Sequence, residues 1–168
     1  MRSTTAKVSF RARTEEDDVF LLSVGRRVFA SWSRDPARAL AAMLVEPGAR
    51  AEVAWVSEAR VGFFIVGLDA LEKPFGPWLR PVAARLDAIA VVPGAQGRGI
   101  GRALLERAEE LARDRGGVVM SLMTATDNHR ARRLFHAAGY LPLIAFANGY
   151  ANGDAALEMF KSLDDSVE

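Results

Sequence analysis

The stretch Leu86–Arg102, LDAIAVVPGAQGRGIGR, constrains this chain more than any other. An apolar run breaks at Pro93-Gly94, and Gly97, Gly99 and Gly101 follow two apart. A helical stripe of Ile100, Leu104, Ala108, Leu111 and Ala112 then begins inside the glycines at the 3.6-residue period. The local order is strand, glycine-rich turn, helix. Glycines have no Cβ, so their backbone N–H groups can come close to a ligand. The helix N-terminus adds unpaired donors and a partial positive charge. Together these predict an anion site suited to a phosphate or pyrophosphate.

The spacing narrows the ligand. GxxxxGK[ST] is absent, so this is not a Walker A loop, and Gly97-Arg98-Gly99-Ile100-Gly101 is not the GxGxxG of a dinucleotide fold. What stands here is Gln96-x-x-Gly99-x-Gly101. It resembles the acyl-CoA-binding motif Q/R-x-x-G-x-G/A of the GNAT superfamily of N-acetyltransferases. A second stretch agrees: Asn128-His-Arg-Ala131-Arg-Arg-Leu134-Phe135-His-Ala-Ala-Gly139-Tyr140 resembles the family's N-x-x-A-x-x-[LF]-Y-x-x-x-G-[FY]. The gap between the two motifs fits one helix and one strand.

The resemblance implies acyl transfer from acetyl-CoA, as cosubstrate, to the primary amine of a small molecule or peptide by direct attack, with no metal. It implies that the backbone of Ile89 and Val91 meets the pantetheine arm and that the Val91 N–H polarises the thioester carbonyl. It also assigns Gln96, Gly97, Arg98, Gly99, Ile100, Gly101, Arg102 and Asn128 to the cofactor. Arg98 and Arg102 lie one helical turn apart and share a face, suited to phosphates, while Arg102 also has Glu106 as an ion-pair partner. Asn128 doubles as a helix N-cap.

Composition excludes several other classes. The 168 residues amount to one domain, enough to bury roughly 70% of the unfolded surface. With 22 basic and 21 acidic residues, the formal charge of +1 argues against nucleic-acid binding by bulk charge. Cysteine is absent, which removes thiolate chemistry, and His129 and His136 alone make no convincing metal site. No signal core opens the chain, and the apolar run Val61–Leu68 is too short to span a bilayer. A cytoplasmic protein without a membrane partner is expected, and a homodimer stays open.

In chain order, a first strand is expected at Val8–Arg11 and a helix after Thr14, carrying Val19, Phe20, Leu22, Val24, Val28 and Phe29. A second helix starts at Asp35-Pro36 and stops at Pro47-Gly48. Ala51–Ser57 and Val61–Leu68 read as a hairpin whose second strand is central, being apolar on both faces. Glu72–Arg85 reads as a loop, either a surface loop with Phe75 and Trp78 on the core or a substrate-side flap. Strand, helix, strand and helix follow to Tyr140, and Leu143–Ala147 and Ala155–Leu163 are two last strands. The expected fold is α/β: one domain over 1–168, with a mixed, mostly antiparallel sheet of about six to seven strands and helices on both faces. The cofactor core would be about 86–140, with acceptor-side elements about 14–46 and 72–85.

The departures from the family pattern concern proton transfer. Phe135 stands where many members have a general-acid tyrosine, and Met123 stands where some relatives carry a basic glutamate. Tyr140, Tyr150 and His136 are nearby replacements, none at the motif position. Asp87 is the one carboxylate in the fourth strand's apolar run, and regular alternation would project it with Ile89 and Val91. It is the first candidate base or holder of a cationic substrate, with Glu158 second. An acyl-CoA sensor without turnover is the alternative reading.

Overall fold

The computed structural model describes residues 7–165. The elements in order are β1 (Val8–Ala12), α1 (Asp18–Val28), α2 (Pro36–Val45), β2 (Arg50–Val56), β3 (Ala59–Ala70), β4 (Val82–Val91), α3 (Ile100–Asp114), β5 (Gly117–Ala125), α4 (His129–Ala137), β6 (Leu141–Phe146) and β7 (Ala156–Ser162). The seven strands form one sheet in the order β1-β2-β3-β4-β5-β7-β6. Among the described residues, only β4 and β5 pair in parallel. The other pairs are antiparallel.

The central strand β3 shows why the sheet has two covered faces. Phe63 and Ile65 point into a core with Leu21 and Val24 of α1 and Leu40 of α2. Phe64 and Val66 point into the opposite core with Ile100, Leu104 and Ala108 of α3 and Phe135 of α4. The α3 stripe is buried as its period requires. Gly116, at φ +83, takes the left-handed conformation just past that helix.

The α1 phase differs from expectation. Val19 is 80% exposed, and the fully buried residue is Leu21. The cause lies upstream. The Thr14 N–H donates to the Asp17 carboxylate at 2.8 Å, closing a 3-10 turn over Glu15–Asp17. The α-helix starts only at Asp18, which leaves Val19 in its first turn, on the solvent side.

Strand β4 begins at Val82, not Leu86. Its first residues pair on both sides, Ala70 with Val82 on β3 and Val82 with Gly117 on β5. The connecting loop is therefore 71–81, at the end of β4 opposite Val91. Within it, Phe75 and Trp78 stack with centroids 6.4 Å apart, and the Trp78 indole donates to Asp164 at 3.1 Å. The edge strand β6 starts at Leu141, two residues before the expected start, and all six of its residues are exposed.

A second irregularity in β4 bears on chemistry. Val66 pairs with Leu86, while Ile65 pairs with Ala88. Asp87 is thus the extra residue of a β-bulge. Leu86 faces the α3 core, and Ala88 and Ala90 face the α1 core. Asp87 joins Arg85 on the α1 side, where Gly67 of β3 leaves room: a Cβ there would lie 2.7 Å from Arg85 Nη2 and 3.0 Å from Asp87 Oδ2. The expectation that Asp87 shares a face with Ile89 and Val91 is corrected, because the bulge breaks the two-residue alternation between them.

Candidate active site

The site begins where two strands part. Parallel pairing of β4 with β5 runs from Val82 opposite Gly117 to Leu86 opposite Leu122 and ends there. Beyond it, β4 continues to Val91 held by β3 alone. The Val92 N–H donates to the Val61 carbonyl at 2.9 Å, which fixes the phase of that antiparallel ladder. Ile89 opposite Phe64 and Val91 opposite Gly62 fall in the non-hydrogen-bonded pairs. Their N–H and C=O groups are directed away from β3, into the gap beside β5. One of these groups is already taken: the Gln96 side-chain amide donates to the Val91 carbonyl at 3.1 Å.

The glycine turn closes one end of the gap. Pro93–Ala95 forms a 3-10 turn, and Gly97 and Gly99 both sit at φ +79. Such a backbone costs an L-residue about 1–2 kcal/mol. A Cβ built at Gly97 or Gly99 meets no atom within 4 Å, so the space beside the turn is open. Gly99 is the N-cap of α3, so the first N–H groups of that helix lack helical partners.

These features line one cavity of about 620 Å³. Asp87, Ile89, Val91, Gln96, Gly97, Gly99, Gly101, Arg102 and Asn128 all contribute to its wall. Two expected residues do not. Arg98 is exposed and outside the wall, carried outward between the two left-handed glycines. The Ile100 side chain is 4% exposed and belongs to the α3 core, so only its main chain serves the turn. Arg102 lines the cavity while its Nε bonds Glu106 at 2.8 Å. The Asn128 side chain accepts from the Ala131 N–H at 3.2 Å, so it caps α4 and lines the cavity together.

Sequence reasoning missed Arg130, which lines the cavity and donates to Gln96 Oε1 at 2.6 Å. Gln96 thereby ties the end of β4 to α4. The one signal for Arg130 was its place in the basic first turn of α4, which also holds His129 and Arg132.

The opposite end of the cavity comes from α1 and its following turn, with Arg27, Phe29 and Trp32, and from Met123 of β5 and Tyr150 of the β6–β7 loop. Met123 is 52% exposed and can only offer apolar surface. The Asp87 side chain is 9% exposed and paired with Arg85, whose Nη2 donates to it at 3.3 Å. Burial lifts the Asp87 carboxyl above its ordinary value against the pull of Arg85, with Glu46 and Asp69 adding to the rise. No residue of the 71–81 loop lines the cavity.

The tyrosines separate. Tyr140 is fully buried against Phe135, ring edge to face at 5.9 Å, outside the cavity wall. Burial and the neighbouring Glu109 hold its hydroxyl above the ordinary range. Tyr150 lines the cavity, and burial raises its hydroxyl too. Phe135 shares that wall. His136 is exposed, and Glu158 lies outside the wall.

Residues 18–140 match the model of the acetyltransferase (GNAT) family, and the chain belongs to that family. A mycothiol acetyltransferase of Sanguibacter keddieii is 37% identical over 138 residues, 79% of this chain and 43% of that protein. A mycothiol acetyltransferase of Beutenbergia cavernae is 42% identical over 73 residues, 42% of this chain and 25% of that protein. The matches span less than half the length of these curated relatives. The structure of Arabidopsis thaliana NAA60 in complex with acetyl-CoA shares the fold, with a TM-score of 0.79 at 14% identity over 93% of this chain and 98% of that one.

Proposed function

We propose that this chain transfers an acetyl group from acetyl-CoA to a primary amine of a small molecule or peptide, by direct attack within a ternary complex. One observation carries the reading. The main chain of Ile89 and Val91 is turned into a gap between parting strands, and that gap ends at a glycine turn with free helix N–H groups. A peptide-like pantetheine arm suits the first part and a pyrophosphate the second. The glycine turn leaves open space where side chains would stand, so the residues present fit the group. Family membership and the acetyl-CoA held by the fold relative from Arabidopsis support the same reading.

Acetyl-CoA supplies an activated thioester. The chain's own residues supply the rest. The Val91 N–H is the donor for the oxygen that gains charge during attack. Gly97, Gly99, Gly101, the Ile100 main chain, Arg102, Asn128 and Arg130, held by Gln96, bind the phosphates and the arm. Arg98, outside the wall, is left with contacts to the solvent-side rim. An alkylammonium with pKa about 10 must lose a proton before it attacks. Asp87, turned by the bulge to the α1 side of the cavity, takes that proton, directly or through water. Its raised carboxyl makes it a stronger base than an ordinary aspartate. Tyr150 holds its proton at neutral pH and can donate to the departing sulfur, the task Phe135 cannot perform.

The reading places the protein in the cytoplasm, with neither nucleic acid nor membrane as partner. Among the described residues no helix is long and apolar enough to cross a membrane. Calorimetry with acetyl-CoA, followed by thiol release in the presence of a panel of amines, tests the proposal. Binding followed by amine-dependent thiol release is expected. Acetyl-CoA binding with no release for any amine would leave a sensor and overturn the transferase.

A further inference from the structure

The two ends of the cavity differ in their unspent charge. At the turn end, Arg102 is bonded to Glu106 and Arg130 to Gln96. At the α1 end, Arg27 is exposed and lines the cavity, and its guanidinium makes no hydrogen bond or ion pair among the described residues. A cation in the last turn of a helix is favoured by the helix dipole. Arg26 meets that need equally and stands outside the wall, so the dipole does not explain why Arg27 faces the cavity. The same wall holds a second donor: the Trp32 indole N–H is buried and without a partner. Among the described residues, the same wall has a single carboxylate, Asp87. The wall thus offers one unpaired cation, Arg27, and one carboxylate, Asp87, that shares its charge with Arg85, with Phe29, Trp32 and Met123 as apolar surface.

We propose that the amine acceptor is zwitterionic: its ammonium is received by Asp87, its carboxylate by Arg27, and an apolar side group by Phe29 and Trp32. This rests on the transferase reading and specifies its substrate class, an α-amino acid or a close analogue with an apolar side chain. A polyamine would bring a second cation to Arg27 and be repelled. An amine without an anion would forgo the charge-assisted contact that Arg27 offers a carboxylate.

The test uses the purified chain, acetyl-CoA, and thiol release with L-methionine, L-phenylalanine, their carboxamides and spermidine. Free acids are expected to exceed their carboxamides in kcat/KM by roughly tenfold or more, as for one charge-assisted contact. The acid-to-amide ratio should fall by a similar factor in Arg27→Ala and recover in part in Arg27→Lys. Calorimetry with acetyl-CoA reports whether each variant is folded. Preference for carboxamides or spermidine, or an acid-to-amide ratio unchanged in a folded Arg27→Ala, overturns the zwitterion proposal and leaves the transferase standing. No turnover with any amine overturns both.

Discussion

The two ends of this cavity are built from different materials. The turn end is mostly main chain: N–H groups of Gly97 to Gly101 and the open edges of Ile89 and Val91. It comes from one continuous stretch of sequence, with Asn128 and Arg130 as additions from α4. The α1 end is side chain: Arg27, Phe29 and Trp32, Asp87, Met123 and Tyr150, drawn from four separate parts of the chain. Main-chain binding needs glycine at fixed places, because only glycine adopts positive φ freely and lets a ligand approach the backbone. Side-chain binding imposes no such spacing. One end can therefore stay constant in form while the other is free to change its ligand.

If the two ends do separate jobs, damage to each should have a separate signature. The largest effect is expected from Asp87→Asn, which keeps shape and removes the base. Its kcat/KM for the amine should fall about 10²–10⁴-fold, the usual worth of general acid–base help. Acetyl-CoA affinity, measured by calorimetry, should hold. Near-normal turnover in this variant would move the base elsewhere and dissolve the division of labour. Gly99→Val should do the converse. A side chain at φ +79 in the N-cap would occupy the space beside the turn and displace its donors. Two charge-assisted hydrogen bonds at about 1.5–3 kcal/mol each correspond to a loss in acetyl-CoA affinity of roughly 10²–10⁴-fold. A folded Gly99→Val, checked by circular dichroism, that binds acetyl-CoA normally would remove the turn from the site.

Tyr150→Phe should be milder. A thiol has pKa about 8.5 and leaves readily as thiolate, so losing its donor should lower kcat by roughly tenfold. An unchanged kcat would show that the sulfur leaves without help from this loop. The smallest effect concerns stability. The folded Asp87 carboxyl holds its proton to higher pH than the unfolded chain does, because burial outweighs Arg85 while Glu46 and Asp69 act with it. Between the unfolded and folded pKa the folded state binds more protons, so stability contributed by this site falls as pH rises through that interval. Asp87→Asn lacks this loss. Its melting temperature relative to the natural chain should climb from acidic toward neutral pH, and a flat difference would contradict the raised carboxyl.

The same contrast explains what could be read in the sequence. The α3 stripe, the glycine turn and the two-faced β3 were legible because period and spacing report backbone geometry directly. Asn128 was legible as a cap because its side chain serves the chain itself. Arg27 and Arg130 were not, since an arginine on a helix looks the same whether it meets solvent or a cavity. The face of Asp87 was misread for a different reason. Alternation assumes an unbroken ladder, and no residue type between Arg85 and Ile89 marks the bulge. Val19 was misread because a capped 3-10 turn delayed the helix and shifted its phase.

The bulge in β4 has a consequence for editing the chain. Remove Asp87 from the register and the ladder becomes continuous: Val66 opposite Leu86, Ile65 opposite Ala88, with buried faces alternating correctly throughout. The sheet has no architectural use for the eighty-seventh residue. A single-codon deletion there should yield a folded protein with a straighter strand, an Arg85 left to Glu46 and Asp69, and no carboxylate in the cavity. The residue that breaks the strand's regularity is the same one that puts a carboxylate in the cavity wall.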